Sequence, residues 1–406
     1  MNYPTDLSPA ETERARTRLA ELAEQFTAKQ ILRTPAWREV FQRTWRHPYV
    51  PAYYPDKDTP PVLCVDGSRR EEWLDAVYSD TTLITKLMPV PLSRALRPAV
   101  EMTYTSSSTL PSLVLEMLDE LDVADGHRVL EIGTGSGYNA ALLCQRLGSQ
   151  QVTSVDIDPE LVDLARERLA ANGYTPVLAV TDGHTGYPPG APYDRIIATC
   201  AVSTIPAAWL QQAAPGAVIL TDLHGPLGGT LVRLTVNDHG SATGRFLPHW
   251  AGFMTMRHNI EPIRPRWPLL ELPATHSWTM IDPITLNTHG LFGFIVQWQL
   301  PNVTQGRMTN DDGAPAVFLL ARDGSRAEID TIPTERGYPV RQYGPQPLWD
   351  RVEHAARFWD EHGHPSYERF GLTATTTEQY IWYDQPDGPH RWPLSLDQGN
   401  TAPPRR

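Results

Sequence analysis

At 406 residues the chain is long enough for two or three domains, at roughly 150 residues each, with sizeable cores. A formal net charge of −12 disfavours a nucleic-acid partner, because phosphates demand a basic footprint, and no apolar run approaches the roughly 20 residues that span a bilayer. With 41% hydrophobic and 20% charged residues, an N-terminus lacking a basic and apolar leader, and three scattered cysteines (Cys64, Cys144, Cys200), the expectation is a soluble, cytoplasmic protein.

Ser8-Pro9-Ala10-Glu11 combines an N-cap, a first-turn proline and a capping-box acid. With Leu19, Leu22, Ala23 and Phe26 at helical spacing, it predicts a helix to about Leu32. Pro35 starts a second helix through Val40 and Trp45 that His47-Pro48 ends. A Pro-, Asp- and Tyr-rich loop (48–61) and a mixed segment (62–100) precede a helix from Pro111 to Leu121.

From Val129 the pattern alternates regularly. Val129–Ile132, Val152–Val155, Val177–Val180, Arg195–Ala198 and Ala217–Leu220 read as strands, Tyr138–Leu147 and the stretch from Pro159 to Asn172-Gly173 as helices. Such alternation predicts an α/β fold with a mostly parallel sheet. After about residue 230 it stops, and eight of the twelve tryptophans fall in residues 231–406. There Leu291–Val296 and Ala316–Leu320 read as strands, Asp311-Asp312-Gly313 as a turn, Leu348–Trp359 as a helix and Asp397–Arg406 as a flexible tail. The organisation read from this is an N-terminal helical, substrate-side region (1–100), a cofactor-binding core (101–235) and a C-terminal α+β region (236–406).

Glu131-Ile132-Gly133-Thr134-Gly135-Ser136-Gly137 lies between the first core strand and its helix. Glycines there let backbone approach a ligand, and helix-start N–H groups favour a polar ligand edge. The third glycine follows the second by two residues, unlike the dinucleotide fingerprint. Asp156 ends the next strand, where an acid accepts both hydroxyls of a ribose. The competing reading is a helix cap, but Asp158-Pro159-Glu160 already supplies cap, proline and first-turn acid. Together these residues resemble the S-adenosylmethionine site of class I methyltransferases. Asp182-Gly183, otherwise a plain turn, takes the place of the adenine-edge acid and its glycine.

Further motifs follow in order: Gly135-Ser136-Gly137-Tyr138, Asp182-Gly183-His184-Thr185-Gly186, Pro192-Tyr193-Asp194-Arg195-Ile196 and Ile205-Pro206, with Tyr49-Val50-Pro51 upstream. Over roughly residues 36–225 they resemble the protein-L-isoaspartate O-methyltransferase family. That resemblance implies a class I, Rossmann-like fold, S-adenosylmethionine as cofactor with S-adenosylhomocysteine as product, and no metal. It also implies cofactor contacts from Glu131, Gly133, Thr134, Gly135, Ser136, Gly137, Asp156, Asp182 and Gly183. The family's substrate loop, Thr-Ile-Ser-Gln-Pro, matches Ser107-Ser108-Thr109-Leu110-Pro111, which makes Thr109 and Ser107 the candidate catalytic hydroxyls. The competing reading of Thr109 is a cap for the following helix, Leu110 departs from the family's Gln, and Ser106 and Ser108 carry no expectation.

About 180 residues follow the core. Gly244-Arg245-Phe246-Leu247-Pro248 through Gly252-Phe253-Met254, Leu348-Trp349-Asp350 and Glu368-Arg369-Phe370-Gly371-Leu372-Thr373 resemble members that accompany ATP-grasp ligases in ribosomal peptide maturation. This implies methylation of an Asp in a modified, macrocyclic precursor peptide, leading to aspartimide or isoaspartate. General isoaspartyl repair is the alternative. Trp349, Phe358 and Trp359 are candidates for peptide contact or for the C-terminal region's own core. His276, His289, His362 and His364 are too dispersed to predict a metal.

Overall fold

The computed structural model describes residues 5–65, 67–92, 99–248, 251–259, 273–301, 303–310 and 313–396. The tail from Asp397 and the Asp311-Asp312 turn lie outside them.

Helix α1 (Pro9–Ala28) carries the expected capping box: Ser8 Oγ accepts from Glu11 N–H, and Glu11 accepts from Ser8 N–H. It ends four residues short of Leu32, because Gln30 turns left-handed and the Ile31 and Leu32 amides both return to Phe26 O. Helix α2 (Pro35–Arg43) starts at Thr34, whose hydroxyl accepts from Trp37 N–H. It ends before Trp45, the Thr44 hydroxyl folding back onto Val40 O. Phe26, Phe41 and Trp37 pack this pair onto the core. Strands β1 (Ala52–Tyr53) and β2 (Val62–Leu63) pair, α3 (Arg70–Val77) follows, and β3 (Leu83–Leu92) and β4 (Ala99–Ser108) form an antiparallel hairpin. A register shift near Lys86 bends that hairpin just before its strands reach the cavity described below.

The core runs α4 (Pro111–Glu120), β5 (Val129–Ile132), α5 (Tyr138–Leu147), β6 (Val152–Asp156), α6 (Pro159–Ala171), β7 (Val177–Val180), β8 (Tyr193–Val202), α7 (Ala207–Gln212) and β9 (Ala213–Gly225). These elements follow the alternation in the sequence. Then come β10 (Gly228–Val236), β11 (Ala242–Phe246), β12 (Thr275–Thr279), α8 (Thr285–Thr288), α9 (Gly290–Gln299), β13 (Val303–Thr309), β14 (Pro315–Ala321), β15 (Arg326–Asp330), β16 (Tyr338–Tyr343), α10 (Leu348–Glu361), β17 (Phe370–Ala374), β18 (Gln379–Tyr383) and β19 (Arg391–Pro393).

The central sheet has ten strands in the order β19-β18-β17-β11-β10-β9-β8-β5-β6-β7. Pairing is parallel from β7 to β9 and antiparallel from β9 onward. The chain's direction of winding reverses between β5 and β8, so a crevice opens at the carboxyl ends of those strands. The α/β class is as expected, and the mixed character comes from C-terminal strands added to the edge of the parallel half. Strand β17 pairs with β11, and Gln379 of β18 clamps Ile205 in both directions (2.9 Å from Ile205 N–H, 2.6 Å to its carbonyl). A second sheet, β12-β16-β15-β14-β13, carries α9 and α10 between itself and the main sheet.

The strand expected at Leu291–Val296 is instead the heart of α9. His289 Nδ1 accepts from Phe292 N–H to start it, and its apolar run is buried on nearly every side between β10 and α10. A helix enclosed all round shows no 3.6-residue period, which is why the run reads as a strand. Ala316–Leu320 and Leu348–Trp359 adopt the expected strand and helix. Trp349 and Phe358 lie in the main core, with Trp359 packed against it, so all three stabilise the fold. Among the described residues no helix is long and apolar enough to cross a membrane, and no three ligating side chains cluster for a metal.

Candidate active site

Strand β5 ends at the glycine loop. The Gly133 and Thr134 amides both donate to Val155 O on β6 (2.8 and 3.1 Å), which fixes where the loop leaves the sheet. Gly133 is at φ +98°, and a Cβ there would lie 2.8 Å from Thr199 Oγ1, so the loop passes β8 only as glycine. Gly135, at φ +51°, aims its N–H at Asp156 Oδ2 (2.9 Å), while Asp156 Oδ1 accepts from Asp158 N–H (3.1 Å). Asp158, as expected, caps α6 through Glu160 N–H, and Lys86 pairs with both Asp158 and Glu160. Asp156 is therefore not free. One oxygen braces the glycine loop and the other accepts from the start of the α6 turn, each with a lone pair to spare. Burial pushes its carboxyl pKa upward.

These residues line one cavity of about 880 Å³, mouth included. It brings together Ser107, Thr109, Gly133, Thr134, Gly135, Ser136, Asp156 and Gly183. Three expected contacts lie behind its wall. Glu131 is fully buried, accepting from Asn139 Nδ2 (2.7 Å) and Ser154 Oγ (2.5 Å), and burial raises its pKa to about 7. Gly137 begins α5. Asp182 starts the short turn at Gly183 by accepting from His184 N–H (2.9 Å), and its other oxygen meets His258 Nδ1 (3.0 Å). The wall residues shape the cavity, and Gly183 alone of the Asp182-Gly183 pair reaches it.

Opposite the glycine loop stands the end of β4. Ser106, Ser107, Ser108 and Thr109 all line the cavity, and their partners distinguish them. Ser106 Oγ accepts from Thr85 (2.9 Å) and Ser108 Oγ from Arg46 Nε (3.1 Å), and both serines are buried. Ser107 and Thr109 are half-exposed, and among the described residues neither hydroxyl is held by a partner. Thr109 does not cap the following helix. The N-cap position of α4 is Leu110, whose amide donates to Thr82 Oγ1 (3.1 Å), and Ser112 N–H is satisfied by Asp80 (2.9 Å). Leu110 packs against the N-terminal core rather than lining the cavity.

Two features escaped sequence reasoning. Arg46, 2% exposed, reaches from just beyond α2 to the β4 end and donates to Ser108 O (2.9 Å) and Thr109 O (3.1 Å), besides Ser108 Oγ. Its other donors go to Val77, Ser79 and Thr81 carbonyls. Burial lowers its pKa to about 10. The strap Met254–Arg257 closes the cavity's far side. Ala201 at the end of β8 bonds it twice, to Met254 O (2.9 Å) and from Met256 N–H (2.8 Å), and the buried Asp222 accepts from Phe253 N–H (3.0 Å). Nothing local in Phe253-Met254-Thr255-Met256-Arg257 signals that position.

Residues 70–235 match the family model of protein-L-isoaspartate(D-aspartate) O-methyltransferase. The protein-L-isoaspartate O-methyltransferase of Methanopyrus kandleri is 32% identical over 206 residues, which cover 50% of this chain and 74% of that protein. The chain belongs to the protein-L-isoaspartate O-methyltransferase family. The Ignicoccus hospitalis member is 38% identical over 141 residues, 34% of this chain and 67% of that one. A solved protein-L-isoaspartate O-methyltransferase aligns with 91% of this chain and 100% of its own at 19% identity and a TM-score of 0.51, a likeness of fold. As a member, the chain is an S-adenosylmethionine-dependent methyltransferase. The cradle suits that cofactor: an open-mouthed cavity, a glycine loop open to close approach, and a half-buried carboxylate at the end of β6. The family match ends at residue 235, so the strap and everything after it lie beyond the matched region.

Proposed function

We propose that this chain esterifies the carboxylate of an Asp or isoaspartyl residue in a ribosomally made peptide that an ATP-grasp ligase has already closed into a macrocycle. The observation that carries the carboxylate acceptor is the pair of hydroxyls, Ser107 and Thr109, which have no partner among the described residues and line one cavity with the glycine loop and Asp156. What supports a tailored peptide is the C-terminal region. Two of its family-like segments meet where β11 pairs with β17, and Arg245 ties them by donating to Glu368 O (2.9 Å).

A carboxylate is ionised at pH 7 and is already a nucleophile, so the site needs no strong base. S-adenosylmethionine supplies a methyl group made electrophilic by its sulfonium. Asp156 and the glycine loop would hold its ribose and methionine portions, and the Gly183 turn its adenine end. Thr109, with Ser107 beside it, donates to one acceptor oxygen and leaves the other to take the methyl carbon, for which in-line approach within roughly 3–3.5 Å suffices. Met254 and Met256 exclude water from that path. Once released, the ester carbonyl is attacked by the next backbone nitrogen. Methanol leaves and a five-membered aspartimide remains.

The second reading, isoaspartyl repair with an added C-terminal region, is favoured by the core's match to relatives of that name. Mass spectrometry separates the two. The protein is incubated with S-adenosylmethionine and either a neighbouring-gene precursor peptide, linear or ligase-cyclised, or a short isoaspartyl peptide. A +14 Da adduct followed by methanol loss on the cyclised precursor is expected. Methylation of the isoaspartyl peptide alone overturns the tailoring reading.

A further inference from the structure

The strap is built onto the turn that follows β7. Gly183 is confined between Ile132 and Met256: a Cβ on it would stand 2.4 Å from Ile132 Cγ2 and 3.1 Å from Met256 Sδ. Two residues beyond Met256, His258 Nδ1 meets Asp182 Oδ2 (3.0 Å), and its ring stands edge-on to His184 with centroids 5.3 Å apart. Asp182, Gly183 and His184 thus each touch the strap or its end. The other side of the strap is anchored as well. Met256 N–H donates to Ala201 O (2.8 Å), and the Met256 side chain packs against the main core.

The chemistry of this part of the wall marks what it serves. Gly183 lines the cavity together with Ile132, Ile157 and Met256, three apolar side chains. The ribose of S-adenosylmethionine has a carboxylate to meet in Asp156, whereas the purine is a flat, weakly polar ring that gains from apolar walls. Of those three side chains, the thioether is the one that adds a polarizable contact with an aromatic ring. Met254 and Met256 both close the cavity, and Met256 is the one that meets Gly183.

We propose that Met256 is a cofactor-binding residue, packing its thioether against the adenine ring, so that a strap from beyond the matched core completes the cofactor site. The proposal rests on the reading that puts the adenine end at the Gly183 turn. It ties cofactor affinity to the C-terminal region, since the strap follows β11, the strand through which β17 joins the central sheet.

The test labels the methionine methyl groups of the full-length protein isotopically for NMR, eight methionines in all. The Met256 signal is the one missing from Met256→Leu. Two ligands are added separately at saturation: S-adenosylhomocysteine, and methylthioadenosine, which keeps adenine and ribose but lacks the amino-acid end. Both are expected to move the Met256 signal upfield through the ring current of the purine. By calorimetry, Met256→Ala is expected to bind both ligands about 3- to 10-fold more weakly than wild type. Met256→Leu keeps the bulk and is expected to stay within about twofold. A Met256 signal that stays in place while S-adenosylhomocysteine binds overturns the proposal and leaves the cofactor reading standing. A signal that moves with S-adenosylhomocysteine but not with bound methylthioadenosine also overturns it, placing Met256 on the methionine portion. So does wild-type affinity of Met256→Ala for both ligands. Wild type that binds neither ligand brings down the cofactor reading, and this proposal with it.

Discussion

Replacing Arg46 by alanine removes the group that ties the end of β4 to the N-terminal region. Three of its six hydrogen bonds end on fully enclosed acceptors: Val77 O, Ser108 O and Ser108 Oγ. The other three, to Ser79 O, Thr81 O and Thr109 O, are only partly enclosed, so water can replace the arginine there. A buried acceptor left without a donor costs about 1–3 kcal/mol, so the three enclosed ones together set a loss of roughly 3–9 kcal/mol. Release from holding a cation in a desolvated site offsets part of this, and about 3 kcal/mol is the expected net loss. Because Arg46 also positions the Thr109 carbonyl, methyl transfer should fall by more than cofactor binding does. The assay is urea unfolding followed by tryptophan fluorescence, together with calorimetric binding of S-adenosylhomocysteine and initial rates. Arg46→Lys, with three donors on a point charge, should recover part of both losses. An unchanged unfolding midpoint and an unchanged rate in Arg46→Ala would refute the reasoning, showing that the β3–β4 hairpin holds the loop unaided.

Four other outcomes are expected. Asp156→Ala should weaken S-adenosylhomocysteine binding about 10- to 100-fold by calorimetry, since it removes a ribose acceptor and the brace on Gly135 N–H; unchanged affinity would remove Asp156 from the site. Thr109→Val keeps the shape but not the hydroxyl, so kcat/KM should fall about 10- to 100-fold with cofactor affinity intact and Thr109→Ser close to wild type; equal loss in both variants would mean the hydroxyl is not what matters. Glu131, raised from 4.5 to about 7 by burial, holds a proton in the folded protein that the unfolded chain has lost between those values. Stability should therefore fall by roughly 3 kcal/mol as pH rises through that window, and urea midpoints of Glu131→Gln should lose this slope. Gly183→Ala puts a methyl 2.4 Å from Ile132 Cγ2 and 3.1 Å from Met256 Sδ, so a loss of about 1–3 kcal/mol is expected, with weaker S-adenosylhomocysteine binding; wild-type affinity would show that the Gly183 turn does not touch the cofactor.

The parts of this protein legible in the sequence are those whose cause is local. Ser8 and Asp158 announce their helices because a cap needs only the next few amides. The strands from Val129 to Leu220 announce themselves as apolar runs broken by polar helix starts; those inside the sheet are buried on both faces, and the edge strand β7 is apolar though half-exposed. The glycine loop and Asp156 are legible for a related reason, as the loop and the strand end of one βαβ unit hold their places by that unit's own geometry. The Leu291–Val296 run marks the boundary of such reasoning. Its neighbours on every side, not its own period, make it a helix.

What tertiary structure alone decided is which polar groups face the cavity and which serve the wall. Ser106 to Thr109 all line the cavity, but Ser106 meets Thr85 and Ser108 meets Arg46, which leaves Ser107 and Thr109 as the hydroxyls without a partner among the described residues. Glu131 and Asp182 carry the right chemistry for ligand contacts, yet packing turns one toward Asn139 and Ser154 and the other toward the His184 amide and His258. The pairs that build the site span long stretches of chain: 62 residues from Arg46 to Ser108, 152 from Thr105 to Arg257, and 174 from Ile205 to Gln379. A hydrogen bond across such a distance leaves no trace in local pattern, because either partner alone reads as an ordinary polar residue. The sequence thus determined that a methyl-transfer core is present and where its loop lies. Only the folded chain decided which hydroxyls lack partners and which strap lines the cavity, because burial and register are properties of what packs against a residue.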